Sequence, residues 1–322
     1  MRALLLLLLT ATLGCTAPRE GEDADADGDH GPEELGVPSG FPERLVSMSP
    51  NLTQIVFALG ADNLLVGVDQ YSVYPESAKS IPRMGSYLDP DLEALVAARP
   101  DLVLVVETDE NIGDLLSGLG LEYEAFGNDT VTDVLASIRE LGALLGREDA
   151  AEKLLSNFEA ARRELEAALS EEPRTRVALV VGRNPGRLQD IYVAGSSSFL
   201  GELLTMAGGE NVFGDLPLPW PQVGVESIVA ADPDVIVDST LAKGASDEEF
   251  SALASDWHAL PSLRAVKYGR VIVAREGWFQ IPGAYMDSTL RLFAHWLHPD
   301  IFPDEVPDPN KSATESPDLK DG

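Results

Sequence analysis

The chain has 322 residues, room for two domains of ordinary size, and 44% hydrophobic residues, which excludes wholesale disorder. Its 54 acids against 23 bases give a formal net charge of −31, a field that disfavours nucleic acid and other polyanionic surfaces. One cysteine in the whole chain excludes a disulfide framework.

The chain opens with "MRALLLLLLTATLGC": one early Arg, a run of leucines, small residues, then Cys15. This is the pattern of a secretory signal, too short and too unflanked for a membrane-spanning helix. "TLGC" resembles a lipobox, so residues 1–14 are expected as a lipoprotein signal peptide and Cys15 as the lipidated first residue of the mature chain. Residues 15–42, with eight acids between 20 and 34, read as an acidic disordered tether that holds a folded body off the bilayer.

The body begins at residue 43. A strand is expected over 44–49, a helix over 51–61 that stops at Gly60, and a second strand over 64–69. An aromatic loop follows, and then "LEALVAARPDLVLVV" (92–106), a helix, a Pro-Asp turn and a β-branched strand. The same unit returns 133 residues later as "VESIVAADPDVIVDS" (225–239), and "SPNLTQIVFALGADNLLVG" (49–67) aligns without gaps on "SSSFLGELLTMAGGENVFG" (197–215). Two matched units in the same order indicate an internal duplication. Between the copies, residues 147–173 carry apolar side chains at helical spacing with no Gly or Pro before Pro173, which predicts a helix from about Asp149 to Leu169. The expected fold is therefore α/β: an N-terminal lobe (43–146) and a C-terminal lobe (174–299), both Rossmann-like, bridged by one long rigid helix with a ligand cleft between them. Residues 300–322, with seven acids and two Lys, are expected as an acidic disordered tail. Without both tails and the two early Arg, the body keeps 39 acids and 19 bases, a net of −20.

Catalysis has no sequence support. The sequence shows no Gly-rich phosphate loop, no GxSxG and no HExxH, and its four His (His30, His258, His295 and His298) form no metal-ligand pair. His295 and His298 sit on the last amphipathic helix, where a capping or surface role is expected, and Ser196–Ser198 read as a helix start. No catalytic residue, no metal and no cofactor is expected. Aromatic residues in loops are what remain: Tyr71, Tyr74 and Tyr87 in the first half, Trp220 between two prolines, and Trp278, Phe279 and Tyr285 near the end. Trp257 and Trp296, on expected helices, are assigned to the core. Loop aromatics offer flat contact area for a bulky, partly apolar ligand.

"RLVSMSPNLTQIVFALGADNLLVGVDQYSVYP", "LDPDLEALVAARPDLVLVV", "AGGENVF", "PWPQVGVESIVAADPDVIV" and "GRVIVAREGWF" together resemble the substrate-binding proteins of ABC importers for vitamin B12, iron-siderophores and haem. The resemblance covers residues 43–298 and is greatest to the vitamin B12 branch. It implies a non-enzymatic, monomeric, exported protein, periplasmic or at the cell surface, that serves a permease dimer with its ATPase subunits. It also implies cobalamin as ligand, with Trp220 stacking on the corrin from one lobe, Tyr71 and Tyr87 lining the other, and Trp278 and Phe279 completing the wall. Glu93 and Glu226, equivalent across the duplication, would each dock into an Arg pocket of the permease. A ferric siderophore or haem is the alternative ligand. The "QIPGAY" stretch after "WF" lacks a basic residue, against a strongly anionic siderophore, and no His is placed for haem, though a Tyr could ligate iron. A structural surface lipoprotein is the remote alternative.

Overall fold

A computed structural model describes residues 40–107, 112–240, 245–304, 306, 308 and 309. Cys15 and almost all of the expected tether lie outside the described residues. The first half builds strand β1 (Leu45–Ser47), helix α1 (Pro50–Ala58), β2 (Leu65–Val68), α2 (Leu92–Ala98), β3 (Leu102–Val106), α3 (Ile112–Gly118), β4 (Tyr123–Phe126) and α4 (Val131–Leu144). Its four strands are parallel, in the order β2-β1-β3-β4. The helix α5 (Glu148–Ala168) leads to the second half: β5 (Thr175–Gly182), β6 (Ile191–Val193), α6 (Phe199–Met206), β7 (Gly209–Asn211), β8 (Gln222–Val223), α7 (Val225–Ala231), β9 (Val235–Asp238), α8 (Asp247–Asp256), α9 (Arg264–Lys267), β10 (Val271–Val273) and α10 (Met286–Leu297). Here the parallel strands run β7-β5-β9-β10, the same order as the first sheet, and β6 and β8 extend the sheet antiparallel.

The duplication reaches the backbone. Helices α2 and α7 both have seven residues, and both end on a non-glycine residue in the left-handed region, Arg99 (φ 46°) and Asp232 (φ 41°). At the start of each central strand an arginine, Arg44 just before β1 and Arg176 as the second residue of β5, closes the corresponding helix. Arg44 Nη2 donates to Ala98 O at 2.5 Å and its Nε to Arg99 O at 3.0 Å; Arg176 Nη2 donates to Ala231 O at 2.8 Å and its Nη1 to Asp232 O at 3.0 Å. Such donors satisfy C-terminal carbonyls that have no partner within the helix. The turn acids match as well: Asp101 accepts from the N–H of Arg44, and Asp234 from that of Arg176.

Parallel strands covered on both faces read as near-continuous apolar runs, and alternate residues go to opposite faces. In β3, Val103 and Val105 pack with Leu95, Ile112 and Leu116, whereas Leu104 and Val106 face Leu52, Ile55 and Val134. In β5, Ala178 and Val180 meet Ile228 and Trp257, whereas Val177 and Leu179 face the large core. That large core runs without interruption through both lobes. α5 buries Ala151, Leu155, Phe158, Ala161 and Leu165 in it and packs on α4, α6 and α10. The helix between the lobes, ~30 Å long at 1.5 Å per residue, is thus one member of a shared helical layer.

The ordered body extends beyond residue 299. Phe302 and Val306 pack against the large core, and the Tyr74 hydroxyl donates to Asp308. The expected disordered tail is corrected for these residues, because Phe302 and Val306 have apolar surface to bury.

Candidate functional site

The carboxyl ends of the parallel strands in both lobes face one cleft. Its larger cavity, about 430 Å³, is lined by Ser49 and Asn51 after β1, Gln70 and Tyr71 after β2, Asn128 after β4, Ser239 after β9, and, after β10, Ala274, Glu276, Gly277 and the run from Phe279 to Pro282. A second cavity of about 310 Å³ shares Asn128, Gln280 and Pro282 with it and adds Phe199, Leu200 and Trp220. Ligands of open α/β sheets bind outside strand carboxyl ends because the loops there converge while the helices return on the sheet faces.

Each wall is held from behind. On the first lobe, Asp69 accepts from the N–H of Tyr71 at 2.7 Å and meets Ser72 Oγ, and a hydroxyl chain continues from Ser72 to Thr53 and Ser47, each step 2.8 Å. Arg83 Nη1 donates to the carbonyls of Asp69 and Ser72 at 3.0 and 2.8 Å, which pins the loop presenting Gln70 and Tyr71. Burial pushes the Asp69 carboxyl above its ordinary value, against the hydrogen bonds of Ser72 and Tyr71, which lower it. On the second lobe the Arg183 side chain is fully buried between Asp238 and Asp256, 2.8 Å from each, and Trp257 Nε1 donates to Asp238 at 2.9 Å. Truncating one partner of such a network strands a buried charge. Beside it, Gln280 Nε2 donates to Val181 O and Ser239 O, tying the ends of β5 and β9 to the last wall segment.

The expected site aromatics divide. Tyr71, 63% exposed, lies in the wall of the larger cavity, and Trp220, 38% exposed, in that of the smaller. The Trp220 loop is clamped onto the end of β6, where Gly195 N donates to Pro219 O at 2.8 Å and a Cβ on Gly195 would overlap Leu218 O. Trp220 then stands edge-on to Phe199, with ring centroids 6.1 Å apart. Tyr87 is partly exposed but lines neither cavity. Trp278 is corrected: it is 2% exposed and belongs to the large core, away from the open wall. Phe279 touches the larger cavity yet is fully buried, its ring edge-on to Phe293 and tilted against Trp296 with centroids 5.2 Å from each, so it backs the wall as part of the core. Trp257 is fully buried.

Glu93 and Glu226 are exposed in the first turns of α2 and α7. Neither lines the cleft. Among the described residues no three His, Cys, Asp or Glu gather as metal ligands. Asn51, Gln70, Asn128, Ser239 and Gln280 were not singled out from sequence. Gln70, Asn128 and Ser239 each follow a parallel strand by one or two residues, and that position was the available signal.

Residues 45–276 match the family model described as periplasmic binding protein. The chain belongs to the periplasmic binding protein family. Two curated relatives are the vitamin B12-binding proteins of Pectobacterium carotovorum subsp. carotovorum (26% identical over 247 residues, 76% of this chain and 84% of that protein) and of Salmonella typhimurium (32% over 200 residues, 60% and 71%). Among solved structures, the periplasmic heme binding protein of Pseudomonas aeruginosa matches with a TM-score of 0.70 at 26% identity, over 80% of this chain and 93% of that one. This periplasmic binding protein has a two-lobed α/β fold and is a substrate-binding protein of ABC-importer type, not an enzyme. Family membership implies export, a permease partner and a small-molecule ligand.

Proposed function

We propose that this protein binds a corrinoid, with cobalamin the ligand, and delivers it as a lipid-anchored monomer to a permease dimer with its ATPase subunits. The observation that carries this reading is the pair Tyr71 and Trp220, two exposed aromatic faces at one cleft, one from each lobe. A large planar macrocycle gains apolar contact from such faces without a dedicated cation. The vitamin B12-binding relatives favour the same ligand. In this reading Tyr87, near the cleft loops, and Phe279, behind the wall, contribute indirectly, and Trp278 supports the wall through the core.

Glu93 and Glu226 are assigned to permease docking, since the duplication sets one in the first turn of an equivalent helix on each lobe. Cys15 is assigned to the anchor.

Haem is the second reading. Tyr71 presents a phenol that could ligate iron, and a heme binding protein shares the fold. Titration of the purified protein with cyanocobalamin, haemin and a ferric siderophore panel separates these ligands. Saturable tight binding of cyanocobalamin is expected; exclusive binding of haemin or of a siderophore overturns the corrinoid assignment.

A further inference from the structure

Half of the eight polar side chains along the larger cavity are carboxamides. Asn51 comes from the first turn of α1, Gln70 and Asn128 from beyond strand ends of the first lobe, and Gln280 from the second lobe. Asn51 is 2% exposed; its Oδ1 accepts from Ser49 Oγ, while its Nδ2 has no partner. An orphaned buried donor of this kind costs free energy that a ligand acceptor can recover. The side chains of Gln70 and Asn128 take no protein partner among the described residues. Gln280 has its Nε2 committed to Val181 O, Ser239 O and Ser239 Oγ, so its Oε1 is the atom left for a ligand.

A carboxamide carries donors and an acceptor together, and another carboxamide matches both. A carboxylate has acceptors only and brings a charge. Among the described residues lining this cavity there is no cation, and the one charged group is the carboxylate of Glu276. An anionic ligand group would enter without a charge partner and beside a like charge, which costs far more than burying a neutral amide that is hydrogen-bonded.

Building on the corrinoid reading, we propose that the cleft recognises uncharged carboxamide groups on the rim of its ligand, and that Asn51, Gln70 and Asn128 decide against carboxylate-bearing macrocycles of the same size. The specificity lies in the donor-and-acceptor wall; the aromatic pair supplies contact to either kind of ring.

Two probes separate the cases: dicyanocobinamide, whose ring periphery bears amides, and dicyanocobyrinic acid, the same ring with carboxylates in their place. The full chain is expected to prefer the amide form by about a hundredfold, since buried polar groups left wrongly paired reject an analogue strongly. The preference should persist in about 0.5 M salt, where the long-range field of the acidic body is screened and local pairing is not. Asn51→Asp should lower cobinamide affinity at least tenfold. Gln70→Glu, at an exposed position, makes the same test should the buried change disturb folding, with a tenfold loss and an unmoved melting temperature. Equal affinity for the two rings, a preference that vanishes in salt, or variants that bind cobinamide like the wild type would each overturn carboxamide recognition and leave a corrinoid site standing. Binding of neither ring overturns it together with the corrinoid assignment.

Discussion

Glu202, in the first turn of α6, accepts the backbone N–H of Val131 at the start of α4 at 2.8 Å, so a carboxylate of the second lobe caps a helix of the first. The amide of Phe199 donates to Asp129 O at 2.8 Å beside it, and Asp129 and Phe199 both line the smaller cavity. The two lobes are stapled at the base of the cleft as well as through α5. Thr130 and Asp133 satisfy other groups at the same helix end in a capping box, which leaves the N–H of Val131 to Glu202.

Ligand binding is therefore expected to close the lobes by a few degrees, without a wide swing. Small-angle scattering with and without ligand measures this, and a large compaction contradicts it. Glu202→Ala should cost about 1–2 kcal/mol, a typical helix-cap loss, and lower the melting temperature by a few degrees.

Trp220 and Trp278 are expected to give opposite results. Trp220→Ala removes an exposed face from the cleft, so corrinoid affinity should fall about tenfold or more with little change in melting temperature. Trp278→Ala opens a hole in the large core and should cost about 3–5 kcal/mol of stability. Calorimetric titration and thermal melts on both variants provide the check; a destabilised Trp220→Ala that binds normally would return Trp220 to a packing role.

Charge reversal at Glu93 and Glu226 tests docking. Glu93→Arg and Glu226→Arg should each reduce ligand-stimulated ATPase of the reconstituted transporter, and the double variant should nearly abolish it. Binding in solution should be unchanged, since neither residue lines the cleft. Charge contacts at an interface rim act mainly on association rate and weaken with salt. Normal transport by the double variant would make the repeated helices a relic of duplication.

Asp69 supplies a pH test. Its folded-state carboxyl is raised by burial above the ordinary 3.8. The hydroxyl chain agrees with a held proton: with Thr53 donating to Ser47 and Ser72 donating to Asp69, the 2.8 Å contact of Thr53 with Ser72 contains no hydrogen, and a protonated Asp69 allows one to be placed there. As pH rises from 3.8 toward the raised value, the unfolded chain releases this proton first, so stability falls across that window and then levels off. Asp69→Asn removes the slope. Its melting temperature relative to wild type should climb through the window, measured by thermal melts from acid to neutral pH; a constant difference refutes the buried proton.

Cys15 is tested by fractionation. On the proposed anchoring, Cys15→Ser should move the protein from the membrane to the soluble fraction, because it removes the residue that would carry the acyl chains. A wild-type protein without lipid by mass spectrometry removes the anchor.

Some of this molecule was legible along the chain because it depends on local period and turn chemistry. The helix–Pro-Asp–strand unit recurs 133 residues apart, and the structure repeats it down to the left-handed residues Arg99 and Asp232. α5 runs Glu148–Ala168 where apolar spacing put a helix from about Asp149 to Leu169, since an uninterrupted amphipathic period with no Gly or Pro leaves little else. The choice of Glu93 and Glu226 came with the family resemblance and their equivalence across the duplication, and both are exposed. Burial in irregular segments was not legible. "EGWFQIPGAY" has no period, so nothing local separates Trp278, sealed in the core, from Gln280, in the cleft wall. The carboxamide wall takes one residue from the first turn of α1, one each from beyond the ends of β2 and β4 and one from beyond β10, and the staple joins Glu202 to Val131 across 71 positions. Such groups meet only because two sheets are set around one continuous core, and that long-range packing is what the tertiary structure decided.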